Sequence, residues 1–518
     1  LAHANQWTRD RLESWGLVNA HAEEWGTFGR GWELKRYSAQ IVEPYTIVLN
    51  GWPKAWSPGL DKPLTADVVY VDAKNDAELA KYKGKLKGAV VLVGPARELQ
   101  PRFDPLAVRV SDSDLLGLAN AAPTSVSPPG QARAATASER RAMFAGTPAG
   151  RALLNRSTTG PTTRRSGRFG QFAFAGRILS FAAKEGAALI VTPSTQGDGG
   201  TIFVAQASIP NQQPGNRGGP RPWSVDCPDI PPQVELAVED YNRLVRMTQQ
   251  GVKLKMAADL QVQYHTEDLN AYNTIAEIPG TDLADEIVMV GGHLDSWQSA
   301  TGATDNGAGV VAAMEAVRII KTLNLHPRRT IRVALWTGEE EGLLGSRAYV
   351  KKHFGYYPDA QSPYDRVPGG ARRSESSTTR PTSRPSRPLV REAEYEKLSV
   401  YFNLDNGAGK IRGVYLQGNE AARPIFRKWI APFADLGAAT LTASNTGSTD
   451  HVSFDAVGLP AFQFIQDGLE YFSRTHHSNE DVVDRVPADD LKQCATIMAA
   501  FVYDAAMMDE RFPRKPVR

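Results

Sequence analysis

The pattern of hydrophobic and polar positions changes repeatedly between two periods from about residue 266 to the end of the sequence. Short apolar runs alternate with stretches such as NGAGVVAAMEAVRIIKTL, where Val310, Met314 and Val317 recur every three or four residues and predict one buried helical face. The other predicted elements are the strands EIVMVGG, RTIRVALW, KLSVYFNLD and PAFQFIQ and the helices GSRAYVKKH, EAARPIFRKWIAPF and DDLKQCATIMAAFVYDAAM. Strands separated by helices predict an α/β fold with a mostly parallel or mixed sheet flanked by helices.

The sequence before this region has a different pattern. Short β-branched runs such as TADVVYV, KGAVVLVG and GAALIVTP predict strands of a separate, β-rich module. Trp7 and Trp15 have helical spacing in the first sixty residues, and the Pro-Gly pair at 58–59 marks a boundary. The predicted organisation is an N-terminal segment that packs on the last domain, an inserted β-rich domain and an α/β domain, over residues 1–60, 61–265 and 266–518.

Two segments are poor in aliphatic residues and rich in Ser, Thr, Pro, Gly and Arg. They are residues 121–170 and about 360–390, the second of which contains GGARRSESSTTRPTSRPSRP. This composition predicts flexible surface insertions. The arginines of the second segment could bind an anionic partner, but a solvated loop is the commoner outcome of such a run.

Composition limits the classes of function. The chain has 518 residues, of which 42% are hydrophobic, and this is enough for two or more domain cores. A net charge of +2 gives no reason to expect nucleic acid as a partner, and no apolar run approaches the roughly eighteen residues of a membrane span. Cys227 and Cys494 are too few for a disulfide framework, and whether they pair stays open.

Side chains that can bind metals follow several of the predicted strands. They are His293, Asp295 and Asp305 after the first, Glu339, Glu340 and Glu341 after the second, Asp405 after the third, and His476 and His477 after the fourth. Ligands of open α/β sheets bind at the carboxyl ends of strands, so we expect these side chains to converge. Carboxylates and imidazoles without thiolates suit catalytic zinc, and the set is large enough for two ions.

Each of these motifs has a simpler structural interpretation when it is taken alone. A His-x-Asp pair is commonly just hydrogen-bonded, DNGAG is a good helix N-cap, and three glutamates or two histidines in a row are commonly solvated. Their occurrence together at successive strand ends is what favours a metal site.

Five motifs occur in an order and spacing that resemble a known family. They are HLDS with TGATDNGAG, WTGEEEGLLGS, NLDNGAG, GSTDHVSF and HHSNEDVVD. They resemble the co-catalytic di-zinc exopeptidases of metallopeptidase family twenty-eight over about residues 266–510, and most of all its carboxypeptidase Q branch. The upstream stretches GKLKGAVVLVG and IPPQVELAVEDYNRL resemble the protease-associated domain that interrupts this fold in several members.

The resemblance implies two zinc ions and a role for each candidate residue. His293, Asp305 and Asp405 would bind one ion, and Glu340, His477 and the same Asp305 would bind the other. Asp295 would accept the second N–H of the His293 ring and orient it. Glu339 would be the general base that takes a proton from a metal-bridging water.

The resemblance is less specific about the neighbouring residues. His476 stands where many relatives have a tyrosine that stabilises the oxyanion, so it would donate there or merely support the site. Glu341 would face solvent. Asp450 and His451 would shape the pocket floor rather than bind metal.

The implied activity is hydrolysis of peptide bonds next to a chain terminus, by an aminopeptidase or dipeptidase. Carboxypeptidase action on short peptides, glutaminyl cyclisation and a non-catalytic, receptor-like binding protein are the alternatives. The expected partners are peptide substrates; a dimer is possible, and the sequence does not decide the oligomeric state. We expect a secreted or periplasmic protein whose signal peptide has been removed, by analogy with this branch.

Overall fold

The computed structural model describes residues 1–121, 163–212, 219–358 and 388–515, with side chains of the helix Thr163–Lys184 described from residue 174 onward. Most of the two predicted insertions therefore lies outside the described residues. The α-helices are, in chain order, α1 (Ala2–Ser14), α2 (Asp76–Leu79), α3 (Asp112–Ala119), α4 (Thr163–Lys184), α5 (Val238–Gln249), α6 (Ala308–Thr322), α7 (Leu344–His353), α8 (Ala422–Ile430), α9 (His451–Asp455) and α10 (Ala488–Met507).

The strands form two large sheets and one short pair. In chain order they are β1 (Val18–Thr27), β2 (Gly31–Glu43), β3 (Ile47–Val48), β4 (Gly51–Pro53), β5 (Leu64–Tyr70), β6 (Val90–Leu92), β7 (Leu189–Pro193), β8 (Gln233–Leu236), β9 (Lys255–His265), β10 (Asn270–Ile278), β11 (Leu283–His293), β12 (Arg329–Trp336), β13 (Gly355–Tyr356), β14 (Val390–Arg391), β15 (Leu398–Asn403), β16 (Ile411–Tyr415), β17 (Thr440–Thr442) and β18 (Ala461–Gln466).

The first sheet has the order β1-β10-β12-β11-β15-β18-β16-β17. Its four central strands, β12, β11, β15 and β18, are parallel neighbours. The strands β1 and β10 extend it antiparallel on one side, and β16 pairs antiparallel with β18 on the other. The predicted fold class is therefore confirmed. The carboxyl ends of the four central strands lie at one edge of this sheet.

Both faces of the first sheet are covered by helices. Val290 and Phe402 belong to a core formed with α6, α8 and α10, whereas their neighbours Met289 and Tyr401 face a core formed with α7 and α9. Consecutive residues are thus buried on opposite faces, which explains why these strands appear in the sequence as continuous apolar runs.

The second sheet has the order β3-β2-β9-β5-β6-β7-β8-β4. The helix α5 packs on one face through Tyr241 and Leu244, and α4 packs on the other through Ile178 and Ala182. We call the first sheet with its packed helices the first unit. The second sheet with its packed helices is the second unit.

The N-terminal residues differ from the prediction. The predicted segment 1–60 is divided between the two units, because β1 pairs with β10 and β2 pairs with β9. Both strands carry charged side chains on a half-exposed face, and this obscures the period of two in the sequence. The predicted helix is present as α1, where Thr8 contacts Thr274 of β10. No helix within the described ranges is long and apolar enough to cross a bilayer.

Candidate metal centre

Four loops bring the predicted metal-binding side chains to the carboxyl edge of the first sheet. His293 is the last residue of β11, Glu340 follows β12 and Asp405 follows β15. Asp305 lies on the turn Ala303–Gly307 that leads into α6, and His477 follows the turn Tyr471–Thr475 after β18. These five side chains form two groups that share Asp305.

The first group surrounds the His293 ring, which is 1% exposed. Its Nε2 atom lies 3.4 Å from Asp305 Oδ1 and 3.3 Å from Asp405 Oδ1. The second group surrounds the His477 ring, whose Nε2 atom lies 3.3 Å from Asp305 Oδ2 and 2.8 Å from Glu340 Oε2. Asp305 therefore presents one carboxylate oxygen to each group.

The donor atoms are spaced as ligands of divalent ions. Two ligand atoms that each lie about 2.0–2.2 Å from a tetrahedral zinc are about 3.3–3.6 Å apart. Three of the four distances above agree with this spacing. The fourth, 2.8 Å between His477 Nε2 and Glu340 Oε2, is the length of a hydrogen bond. Asp305 Oδ2 and Glu340 Oε1 are buried without a hydrogen-bond partner among the described residues. Since buried charged groups are normally paired or bind metals, these residues fit the ions that the sequence implies.

The carboxylates here are crowded as well as buried. Burial raises the pKa of Glu340 well above its usual 4.5, and the neighbouring Asp305 raises it further. Burial likewise raises the pKa of Glu339, with Asp405 and Asp450 adding to the effect. Like charges this close oppose ionisation, so bound cations would stabilise the charged forms.

Close packing of the backbone explains the glycines before His293. A Cβ atom at Gly291 would lie 1.9 Å from the backbone oxygen of Ala334 on the neighbouring strand β12. After Asp305, the Asn306 side chain donates to Leu404 O at 2.9 Å and accepts from Gly309 N at 3.1 Å. The glycines therefore permit the close approach of strands and helix that brings His293 and Asp305 together.

Asp295 contacts His293 in a different way from the prediction. The His293 Nδ1 atom lies 3.0 Å from the backbone oxygen of Asp295, whereas the Asp295 carboxylate is 3.7 Å away. That carboxylate accepts instead from the backbone N–H of Glu340 at 3.2 Å. Asp295 thus orients the imidazole through its peptide oxygen and holds the Glu340 loop through its side chain.

Asp481 supports the site, although no role was predicted for it. Its carboxylate accepts from the backbone N–H groups of Thr304 at 2.6 Å and Asp305 at 3.1 Å. The signal that could have identified it is its position four residues after His477 in the motif HHSNED. Asp481 fixes the backbone on which the shared carboxylate stands.

The remaining predicted residues lie beside the two groups. The His476 ring stacks on His477 with centroids 3.6 Å apart, and its Nε2 is 3.8 Å from Asp305 Oδ2. Glu341, which was expected to face solvent, is half-buried, and burial raises the pKa of its carboxylate well above 4.5. Within the described residues, His476 could also hold an ion together with Asp305 and His477, whereas Asp450 and His451 are fully buried and join no such cluster.

The region that carries this site is similar to known peptidases. Residues 273–502 match the model of peptidase family M28. Mouse carboxypeptidase Q is 29% identical over 296 residues, which cover 57% of this chain and 54% of that protein. The chain therefore spans about half the length of the curated relatives that it matches.

Two solved structures have a similar fold. The peptidase M28 precursor from Shewanella amazonensis SB2B has a TM-score of 0.60 and 22% identity, covering 99% of this chain and 90% of that chain. BSAP, a zinc aminopeptidase from Bacillus subtilis, has a TM-score of 0.51 and 16% identity, covering 98% of this chain and 89% of that chain.

The sheet order and the shared fold define a mixed α/β architecture of the kind found in M28 peptidases. The part of the chain over residues 273–502 is similar to peptidase family M28, whose model it matches. The resemblance predicted from the five sequence motifs, including the similarity to carboxypeptidase Q, is thereby confirmed.

Proposed function

We propose that the protein is a zinc-dependent exopeptidase with two ions. His293, Asp305 and Asp405 would hold one ion, and Glu340, His477 and Asp305 would hold the other. The observation that carries this proposal is the orientation of Asp305, whose two oxygens face different histidines at 3.4 and 3.3 Å. A carboxylate suits this position because its two oxygens can serve two cations and its charge offsets their repulsion.

When bound, the two ions would polarise the scissile carbonyl and lower the pKa of the attacking water. Glu339 would take the proton of that water and pass it to the leaving amine. Its side chain is half-buried, and its electrostatic neighbours include His293 and Asp405. A base in this position is shielded from bulk solvent and lies next to the proposed ligands, which supports the assignment.

Two further side chains would assist without holding an ion. The imidazole of His476 carries a ring N–H that can donate to the oxyanion as it forms, and its stacking on His477 keeps it at the site. Asp295 would act through the backbone of the Glu340 loop and through the His293 ring. We assign Asp295 as a positioning residue.

The proposed substrates are peptides cleaved next to a chain terminus, with aminopeptidase or dipeptidase action as the first choice. The family assignment of residues 273–502 supports a peptidase. The names of the similar proteins, carboxypeptidase Q and a zinc aminopeptidase, support action at chain ends. We also infer that the second unit is the protease-associated domain and that the protein is exported.

The test of the mechanism is a pair of substitutions in one run of glutamates. Glu339→Gln should still bind two equivalents of zinc but lose about 10²–10⁴-fold in turnover, because the ligands remain while the proton acceptor is gone. Glu341→Gln is the matched control and should retain most of the activity. Asp305→Ala should lose metal from both groups. Metal content is measured by mass spectrometry of the desalted protein.

Cleavage-site mapping on a mixed peptide library identifies the reaction. Products shortened at the amino end support the proposal, products shortened at the carboxyl end indicate a carboxypeptidase, and loss of ammonia from an N-terminal glutamine indicates a cyclase. Two bound zinc equivalents without turnover of any peptide would favour a binding protein. A fully active Glu339→Gln variant would refute the base assignment.

A further inference from the structure

The loop that carries His477 is hydrogen-bonded to the second unit. Residues 200–204, between β7 and β8, run antiparallel to residues 477–479, with Phe203 opposite Ser478. Val204 N donates to His477 O at 3.0 Å, and Asn479 N donates to Ile202 O at 3.1 Å. The backbone of a proposed metal ligand in the first unit is thus paired with the backbone of the second.

The Asn479 side chain completes this pairing. Its Oδ1 accepts from Ile202 N at 2.7 Å, and its Nδ2 donates to Gly200 O at 3.3 Å. The side chain and the backbone N–H of Asn479 therefore make three of the hydrogen bonds that join the His477 loop to residues 200–204.

Residues 202–204 are firmly held within the second unit. Ile202 is 0% and Val204 2% exposed, and both pack with Ala237 in a small apolar cluster. The backbone N–H of Phe203 donates to Ser194 Oγ at 2.9 Å at the end of β7. Because residues 202–204 are fixed by this apolar packing and by this hydrogen bond, they can hold the neighbouring His477 loop in place.

The segment between β6 and α3 also contacts the chain just before His477. Val108 N donates to Leu469 O at 3.1 Å, and Ser473 Oγ donates to Leu106 O at 3.0 Å. The connection from β18 to His477 is therefore held by this segment at two separate places.

His477 itself has a backbone conformation that requires support. Its φ angle is +60°, in the left-handed region that non-glycine residues seldom occupy because the Cβ atom crowds the backbone there. The ring lies edge-on to Trp297 at 5.9 Å, and Nε2 faces Asp305 and Glu340. A small change in this backbone would turn Nε2 away from both carboxylates.

We propose that the second unit positions His477 for the second metal ion and that Asn479 is the positioning residue that transmits this effect. The proposal rests on the function proposed above, in which His477 binds that ion. It predicts that the second unit affects metal affinity without supplying a ligand.

The test compares cobalt binding by purified full-length variants, starting from the metal-free protein. In Asn479→Ala the second equivalent of Co²⁺ should bind about 10–100-fold more weakly, as is typical when a residue that orients a metal ligand is removed, while the first should bind as in the wild type. Asn479→Asp keeps the acceptor for Ile202 N and should recover part of the affinity. The visible absorption of bound Co²⁺ reports the geometry of each ion.

The matched control is Asn242→Ala. Asn242 also makes two hydrogen bonds within the second unit, with Arg97 N at 2.9 Å and Arg97 O at 2.7 Å. This variant should lose similar stability but keep wild-type affinity for both ions. Circular dichroism of the metal-free variants checks folding, and if Asn479→Ala does not fold, a several-fold weaker second ion in Asn479→Asp supports the proposal.

The outcomes separate the two proposals. A wild-type protein that binds fewer than two ions contradicts the proposed function. A wild-type protein that binds two ions, with Asn479→Ala binding both as tightly, overturns the positioning role. Equal weakening in Asn242→Ala would also overturn it, since the effect would then be one of general stability.

Discussion

Arg109 lies in the segment between β6 and α3 and bonds to two buried carboxylates of the first unit. Its guanidinium lies 2.7 Å from Asp467 Oδ2 and makes two hydrogen bonds, of 2.7 and 3.1 Å, to Asp490. The Asp467 carboxylate also accepts hydrogen bonds from the Arg412 guanidinium at 2.9 Å and from Val110 N at 2.9 Å. Arg109→Ala would therefore leave Asp490 as the less compensated of the two charges.

The cost of Arg109→Ala can be worked out from burial and charge. Removing one partner of a buried ion pair typically costs about 3–5 kcal/mol, and Asp490 is 2% exposed. The Arg109 side chain is 48% exposed, so solvent screens part of this attraction. Asp490 also lies in the first turn of α10, where the helix dipole stabilises a carboxylate by about 0.3–1 kcal/mol. We therefore expect a loss of about 2–3 kcal/mol in the free energy of unfolding.

A second substitution shows how much of the lost stability comes from the unpaired Asp490 charge and how much from lost packing of the Arg109 side chain. Arg109→Ala with Asp490→Asn should regain about 1 kcal/mol, because the uncompensated carboxylate is removed. Arg9→Ala is the control, since Arg9 pairs with Asp10 on the surface, where both side chains are more than a third exposed. Urea unfolding of the metal-free proteins, followed by tryptophan fluorescence, gives the free energies. If Arg109→Ala and Arg9→Ala differ by less than about 0.5 kcal/mol, the buried carboxylates do not depend on Arg109.

Two further predictions concern pH and backbone packing. Burial alone would lower the pKa of His353, but hydrogen bonds to Glu23 and Glu394 raise it above 6.5. The protonated ring therefore stabilises the folded state below pH 6.5, and this stabilisation is lost as pH rises through the higher pKa of the folded state. The unfolding midpoint of the wild type should therefore fall relative to His353→Gln as pH rises above 6.5, and parallel curves would contradict this. Gly291→Ala would place a methyl group 1.9 Å from a backbone oxygen of β12 and should lower the free energy of unfolding by about 3 kcal/mol or more. The urea midpoint of unfolding measures this loss, and an unchanged midpoint would mean that the two strands can separate.

The central strands and helices of the first unit could be predicted because their apolar patterns are long and distinct. The runs around Val290 and Phe402 are buried on both faces, and each is bounded by polar residues. The convergence of His293 and Asp405 followed from topology alone, because parallel strands place their carboxyl ends at one edge. Local patterning and the rules of sheet connection were sufficient there.

Other features had no local signal strong enough to predict them. The strands β1 and β2 have polar outer faces, and their assignment to different sheets depends on pairing with β10 and β9, more than two hundred residues away. The contacts of Asp295 and Asp481 are with backbone N–H groups, whose positions depend on the folded loops. A sequence shows which side chains can accept such hydrogen bonds, but it does not show where the donors lie.

The loop from His477 to Asp481 connects the site to both units over five residues. Its start faces Asp305 and Glu340, and Asn479 bonds to residues 200–204 of the second unit. Its end bonds to the backbone N–H of Asp305. A displacement of the second unit would therefore act on the His477 ring and on the shared carboxylate through the same short segment. Because ligand geometry tolerates errors of only a few tenths of an ångström, the placement of the second unit should matter most for the ion held by these two residues.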